Sequence, residues 1–337
     1  MQMAETARVD GGRAFWGSGK WATERMLRAM KEGRSLTPKE LRTNDTLRNE
    51  EWKAFDTALV EGIRTRLRAV ADLIGAGLTI PLPNAMAKTV LSYDKIGDMD
   101  PATVSMDGMA RSENDRVEFE AGALPIPITH KDFFINIRKL MASRLGVEAL
   151  DTIQIRIAGR LVGEEIERML LIGGKQFQSL PIYGYTTHPN RNTIGFSGSK
   201  PWSDLTKDGA GILTDVQAMM SAAEADGFYG PYWIYFSKNA SVRMEGDYSA
   251  TSDLTIRQRI EAVDGISRFT SLDMLPTNSA ILIQPTSDVV QLVDGERPQN
   301  VQWDVNGGFG VNFKVFAIQV PLIRADADGN SGIVHMS

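Results

Sequence analysis

Between residues 50 and 74 an apolar side chain returns every three or four positions: Trp52, Phe55, Leu59, Ile63, Leu67, Val70 and Ile74. An α-helix turns once in 3.6 residues, so this spacing lays them along one stripe and predicts a single helix over 50–74. Gly75 and Gly77 stop it. A second periodic run, 151–172, puts Ile155, Ala158, Val162, Ile166 and Met169 on one stripe. Asp151 is its expected cap, with Gln154 three residues on and Gly173-Gly174 at the end. Further helices are expected over 214–225, capped by Thr214, and over 256–263. A short helix is expected over 21–31, and Thr37-Pro38-Lys39-Glu40 has the marks of a helix start.

Short apolar runs and alternation predict strands at 78–83, 231–237, 267–272, 280–284 and 289–293. Val301, Trp303 and Val305 alternate with polar residues up to an Asn306-Gly307 turn, and a return strand is expected over 310–323. Its apolar parity changes at Val315-Phe316, which predicts a bulge or burial on both faces. An apolar, proline-punctuated strand at the start of 122–174 leads into a polar linker before the second helix, 176–204 reads as a loop, and the polar tail after Arg324 is expected to fray. Residues 94–121 differ in kind. Asp94, Asp98, Asp100, Asp107, Glu113, Asp115, Glu118 and Glu120 stand against Lys95, Arg111 and Arg116. With so few large apolar side chains the stretch cannot bury a core of its own, and it reads as a long protruding hairpin or loop. Helices cluster early and strands late, a mixed α+β class.

Composition narrows the function. The chain has 337 residues, 42% hydrophobic, enough for a sizeable core. Its net charge of -5 does not suit a cationic nucleic-acid binder, although it does not exclude proximity to DNA. There is no cysteine, so disulfides, thiolate nucleophiles and cysteine metal sites are impossible. No apolar run approaches the roughly 20 residues of a membrane span, and the first fifteen residues lack the apolar region of a signal peptide. The sequons at Asn44 and Asn239 therefore carry no weight. Residues 1–49 are locally basic: Arg8, Arg13, Lys20, Arg25, Arg28, Lys31, Arg34, Lys39, Arg42 and Arg48 outnumber the acids. They read as an extension, flexible in a free chain and ordered as an arm on a neighbour in an assembly. Arg64, Arg66 and Arg68 radiate from the first helix and read as a solvated face, with sequence-independent contact to nucleic acid as the alternative.

Local chemistry is thin. Gly17-Ser18-Gly19-Lys20 imitates a phosphate loop, but Ala14 stands where its first glycine belongs and Trp21 replaces the magnesium-binding hydroxyl. His130, His188 and His335 are scattered without metal-ligand spacing, and His130 is expected to be partly buried. Glu164, Glu165 and Glu167 read as the solvated face of the second helix, or as salt bridges between subunits. No catalytic, cofactor or metal residue is assigned. Trp16, Trp21 and Trp202, in weakly patterned segments, read as contact anchors between subunits.

One ordered set of segments carries a resemblance. Leu124-Pro125-Ile126-Pro127-Ile128, then Lys131-Asp132-Phe133 and Arg138, precede Leu150-Asp151-Thr152, Glu164-Glu165-Ile166-Glu167 and Ile172-Gly173-Gly174. Glu51-Trp52 and Phe55-Asp56 lie upstream, and Ile182-Tyr183-Gly184-Tyr185-Thr186 follows. In order and spacing these resemble encapsulins and the tailed-phage major capsid proteins of the Hong Kong 97-type fold. The resemblance implies an N-terminal arm with a first helix (1–75) and an E-loop over a neighbouring subunit (94–121). It implies a P-domain (76–93, 122–204 and the strands and tail of 296–337) holding the spine helix 151–172, and an axial A-domain (205–295). It implies a coat protein assembled in the bacterial host cytoplasm into the icosahedral head of a virion, as hexamers and pentamers around double-stranded DNA. Portal, scaffolding and decoration proteins would be its partners, without a membrane or a cofactor. The alternative is an encapsulin-type compartment around an enzyme cargo; a soluble α+β enzyme is the third reading. Encapsulins generally lack an extension like residues 1–49, which favours the phage coat. Some phage shells cross-link an E-loop lysine to a neighbour's asparagine; here no lysine lies between Lys95 and Lys131, so a shell without cross-links is expected. The acidic loop, through Glu118 and Glu120, is expected to meet basic surface such as Arg138, Arg144, Arg156 or Arg160 on the next subunit.

Overall fold

The computed structural model describes residues 8–10, 13–16, 20–23, 49–64, 67–96, 104, 106, 119–144, 152–177, 179–249, 251–305, 309–326 and 329–337. The chain begins with an antiparallel meander of β1 (Arg8–Asp10), β2 (Arg13–Trp16) and β3 (Lys20–Thr23). The helix expected to begin at Trp21 is therefore a strand there; the helix start at Thr37 lies outside the described residues.

Helices α1 (Asn49–Arg64) and α2 (Ala69–Gly75) occupy the first periodic run, which is not one helix. Trp52, Phe55, Leu59, Ile63 and Val70 are buried as the stripe requires, but the break shifts the phase, so Leu73 is buried and Ile74 is exposed. A short strand β4 (Thr79–Pro81) leads into a hairpin of β5 (Val90–Ile96) and β6 (Phe119–Pro125). The expected polar linker contains β7 (Thr129–Asn136) and α3 (Ile137–Arg144). The long helix α4 (Ile153–Leu171) follows, and all five residues of its expected stripe are buried. Its N-cap is Thr152, which makes no side-chain cap, and Asp151 lies outside the described residues.

Gly173 and Gly174 end α4 with positive φ. A Cβ on Gly173 would collide with the backbone of Gly184, so only glycine fits that turn. The expected loop 176–204 instead holds the hairpin β8 (Gly173–Phe177) and β9 (Leu180–Tyr183), then β10 (Asn192–Ile194). Helix α5 (Gly209–Ala225) starts earlier than expected because Asp208, accepting from the Gly211 N–H, is its cap. Thr214 sits inside it and donates to the Ala210 carbonyl. After β11 (Tyr232–Ser237) come α6 (Ser241–Met244) and α7 (Ile256–Glu261), the latter closed by a Thr255–Gln258 capping box. The chain ends with β12 (Ile266–Leu272), β13 (Ala280–Ile283), β14 (Val290–Val305), β15 (Gly310–Ile323) and β16 (Ile333–Met336).

Two larger sheets organise these elements. One has the order β4-β14-β15-β7, the other β10-β16-β13-β11-β12. The parity change at Val315-Phe316 is met by register shifts in β14 at Asp294–Glu296 and Glu296–Gln299, with β15 buried on both faces. The tail does not fray: all four residues of β16 are buried between β10 and β13. A first core unites α1, α2, α4, the four-stranded sheet and one face of the five-stranded sheet through Trp233, Tyr235, Ile281 and Ile283. Alternate residues of the same strands, Ile234, Phe236, Ala280 and Leu282, face a second core with α5 and α7. The five-stranded sheet is thus the wall shared by two cores.

Candidate assembly surface

The hairpin of β5 and β6 runs through seven cross-strand pairs, from Val90 opposite Pro125 to Ile96 opposite Phe119. Leu124 joins the first core, and Leu91 and Tyr93 pack against it. The Tyr93 ring lies over Gly122, where a Cβ would come 2.5 Å from the ring carbon Cζ. Nearer the tip, Lys95 Nζ meets Glu120 Oε2 at 2.9 Å. Among the described residues these two strands pair only with each other. Val104 and Met106, within the excursion between them, are wholly exposed. A two-stranded ribbon is marginal in water by itself, so this one is held at its base and presents its far end.

Other apolar side chains are left in water at several places, among them Ile153, Ile157 and Leu161 on α4 and the two groups that follow. Phe134 and Phe309 are exposed at the turn end of the β14–β15 pair, where the Ile137 N–H donates to the Phe309 carbonyl at 3.1 Å. Met141, exposed, follows one helical turn after Ile137. Leu205 (85% exposed) and Val242 (83%) flank a hydrogen bond from Arg243 Nη2 to the Lys207 carbonyl, 2.8 Å. Grouped exposed apolar residues mark interaction surfaces more often than isolated ones do.

The residues expected at subunit contacts are dispersed. Glu120, Arg138 and Arg156 are exposed, and Arg160 is half-buried. Arg138 donates its backbone N–H to Asn136 Oδ1 at 2.9 Å. Arg156 pairs with Glu61 at 3.4 Å and Arg160 with Glu164 at 3.8 Å, surface pairs worth at most about 1 kcal/mol each. Trp16 lies in β2 opposite Lys20, and Trp21 in β3 opposite Phe15. Arg144 ends α3, and Glu118 lies outside the described residues. Trp202 is no surface anchor. It is 2% exposed, packed near Phe196, Phe236 and Phe269, and its Nε1–H donates to Asp215 Oδ2 at 2.7 Å. Asp215 also pairs with the buried Lys207 and accepts the Ser197 N–H at 2.9 Å. The aromatic ring belongs to the second core because its polar edge finds a buried acid.

The histidines also depart from expectation. His130 is exposed, with Nδ1 3.3 Å from the Ile128 carbonyl. His188 and His335 are buried, and burial with nearby cations holds both near pKa 4: Lys95 and Arg191 for His188, Arg191 for His335. His335 Nε2 lies 2.9 Å from Ser279 Oγ. Among the described residues no group of three or more His, Asp or Glu side chains could hold a metal ion. No helix among them is long and apolar enough to cross a membrane.

Glu167, expected on a solvated face, is 2% exposed. Its Oε1 accepts the Ala69 N–H at 2.8 Å and its Oε2 the Val70 N–H at 3.2 Å, at the start of α2. Burial raises its pKa to about 7, against the lowering by the backbone N–H groups of Ala69, Val70 and Arg68. A signal for this was present: Glu167 stands four residues after Gly163 and three before Leu170, both buried.

Comparisons with known proteins follow the same architecture. The chain is 27% identical over 229 residues to the type 1 encapsulin shell protein EncA of Myxococcus xanthus (strain DK1622), spanning 65% of this chain and 71% of that protein. The virus-like particle of Pyrococcus furiosus superposes with a TM-score of 0.62 at 17% identity, covering 86% of this chain and all of that one. The capsid of the myovirus phage XM1 does so with a TM-score of 0.58 at 9% identity, covering 74% and 85%. At such identities the likeness is one of fold, and the fold is the Hong Kong 97-type capsid fold. Residues 42–336 match the family described as a family of unknown function (DUF6260), and the chain belongs to that family.

Proposed function

We propose that the chain is the repeating subunit of a closed protein shell, the major capsid protein of a tailed bacteriophage, assembled as hexamers and pentamers around double-stranded DNA. The observation that carries the shell reading is the β5–β6 hairpin on this fold: an acidic excursion, anchored at its base, with apolar residues held in water. A neighbouring copy would supply the surface such an arm lacks, and repetition by symmetry turns many modest contacts into a stable shell. In this reading residues 94–121 are the E-loop, and 76–93, 122–204 and 296–337 the P-domain around the spine helix α4. Residues 205–295 are the A-domain, whose sheet also takes β10 and β16, and residues 1–75 are the arm and first helix. Portal, scaffolding and decoration proteins would be its further partners in the virion. The shell would carry no lysine–asparagine cross-links, since the E-loop has no lysine beyond Lys95.

A second reading, an encapsulin-type compartment around an enzyme cargo, is favoured by the relationship to the Myxococcus shell protein. The basic residues that precede the family match at position 42 support the phage coat instead. Electron microscopy of the purified full chain tests both. Uniform closed shells are expected, with nuclease-protected DNA in particles from producing cells and a single band on a denaturing gel. A co-purifying enzyme in place of DNA would establish the compartment. A dispersed monomer under all assembly conditions would sink the shell reading.

A further inference from the structure

The three strands at the start of the chain stand apart from the capsid fold. Among the described residues β1, β2 and β3 form a sheet of their own and pair with no other strand. They also precede the family match, which begins at residue 42. The charge of the chain is divided near the same place. Residues 1–49 hold ten Lys/Arg against six Asp/Glu, although the whole chain carries -5.

The register sorts the residue types by face. Arg8 is opposite Phe15 and Phe15 opposite Trp21, so a cation and two aromatic residues form one row across the three strands. Two residues along, on the same face, Asp10 is opposite Arg13 and Arg13 opposite Thr23. The other face takes Val9, Ala14 and Ala22 in one row, and Trp16 opposite Lys20. Neighbouring strands lie about 5 Å apart, and alternate residues of a strand about 7 Å. One face thus places two adjacent aromatic positions beside two arginine positions. Stacking on flat rings and neutralising phosphates are the contacts that hold unpaired bases, and neither reads sequence. In a duplex the base faces are covered by their neighbours, so the rings would have nothing to meet. The acidic excursion of a neighbouring copy would answer the charge but not the rings, since residues 97–118 contain no aromatic side chain.

We propose that the face of the N-terminal meander carrying Arg8, Arg13, Phe15 and Trp21 binds single-stranded nucleic acid, with bases stacked at Phe15 and Trp21 and phosphates held by Arg8 and Arg13. This goes beyond the shell reading, which asks only for enclosed double-stranded DNA, and it does not depend on it. A dispersed chain that binds in this way keeps the proposal and loses the shell; closed shells without such binding do the reverse.

Ultraviolet cross-linking of the full chain in producing cells, with the adducts located by mass spectrometry, tests this whether or not shells have closed. Nucleotide adducts are expected at Phe15 and Trp21. Trp16, on the opposite face, is the control within the meander. No adducts at Phe15 and Trp21, or equal labelling of Trp16, overturns the proposal. Arg8→Ala combined with Arg13→Ala keeps the rings and removes two phosphate contacts, so adduct yield should fall about tenfold at physiological salt. An unchanged yield overturns the proposal. So does a variant that loses shells but keeps its adducts, because the meander would then be a contact between subunits. Titration of the dispersed full chain with labelled oligothymidylate, and with its duplex, separates the two forms of nucleic acid. The single strand should bind at least about fivefold more tightly, and equal or tighter binding of the duplex overturns the proposal.

Discussion

Lys207 and Asp215 illustrate how one buried pair sets a local structure. Both are almost fully buried, and the acid takes hydrogen bonds from Trp202 and the Ser197 backbone, while Lys207 Nζ also donates to the Lys200 carbonyl at 2.8 Å. These contacts pin the segment before α5 onto that helix. Such a pair adds little net stability when intact, but removing one partner strands the other charge in an apolar core. Asp215→Ala should therefore cost about 3–5 kcal/mol, read from chemical denaturation. A loss under about 1 kcal/mol would mean that water reaches Lys207 in the native state. Charge and size alone do not distinguish Asp215 from Asp204 or Asp208, which lie at the surface. Only the aromatic cage around Trp202 makes the difference, and it is assembled from residues 196, 236 and 269.

The pairing of α1 with the spine helix rests on small residues at their crossing. A Cβ on Gly159 would stand 2.7 Å from Leu59 Cδ1, and one on Gly62 would strike the Arg156 carbonyl. At Gly163 the nearest atom, Leu67 Cγ, would be an ordinary 3.5 Å away. Gly159→Val should thus force the helices apart and lower stability by about 1–3 kcal/mol. Gly163→Ala should be neutral or raise it by up to about 1 kcal/mol through helix propensity. Thermal melts of the two variants check the contrast, and equal effects would contradict the crossing described. The stripes on both helices were readable in the sequence because 3.6-residue periodicity is a local property. The break at Leu67-Arg68 was not, since the stripe continues through it. What ends α1 and restarts the chain as α2 is accompanied by a distant acid, Glu167, at the new N-terminus.

For the whole molecule, the proposed shell assigns the β5–β6 hairpin to a contact that a single copy cannot complete. Of its acids only Asp94 and Glu120 are among the described residues, and Glu120 pairs with Lys95; in the proposed shell a neighbour's cations would meet the acidic excursion. Reversing Glu118 and Glu120 to lysine should reduce the yield of closed shells several-fold while leaving the subunit folded. Particle counts by microscopy, with circular dichroism as the control for folding, decide it. Unchanged yield would remove charge from the account of this contact. The effect should also weaken as salt rises, since exposed charges are screened beyond about 10 Å at 0.1 M.

Much of the architecture was legible in the order of residues. The spine helix with its buried stripe and glycine stop, the buried strands β11 and β13 and the long β14–β15 pair all follow from local periodicity and composition. Those signals report which face of a segment is apolar. They do not report what that face or its polar edge will meet. Residues 333–336 look like a short polar-flanked tail, yet they become a central strand because β10 and β13 leave a gap of one strand's width between them. Trp202 and Glu167 go inside because an acid and a helix N-terminus wait there to satisfy them. Burial of an isolated polar group costs free energy until a partner far along the chain is in place, and that partner exists only once the chain has folded.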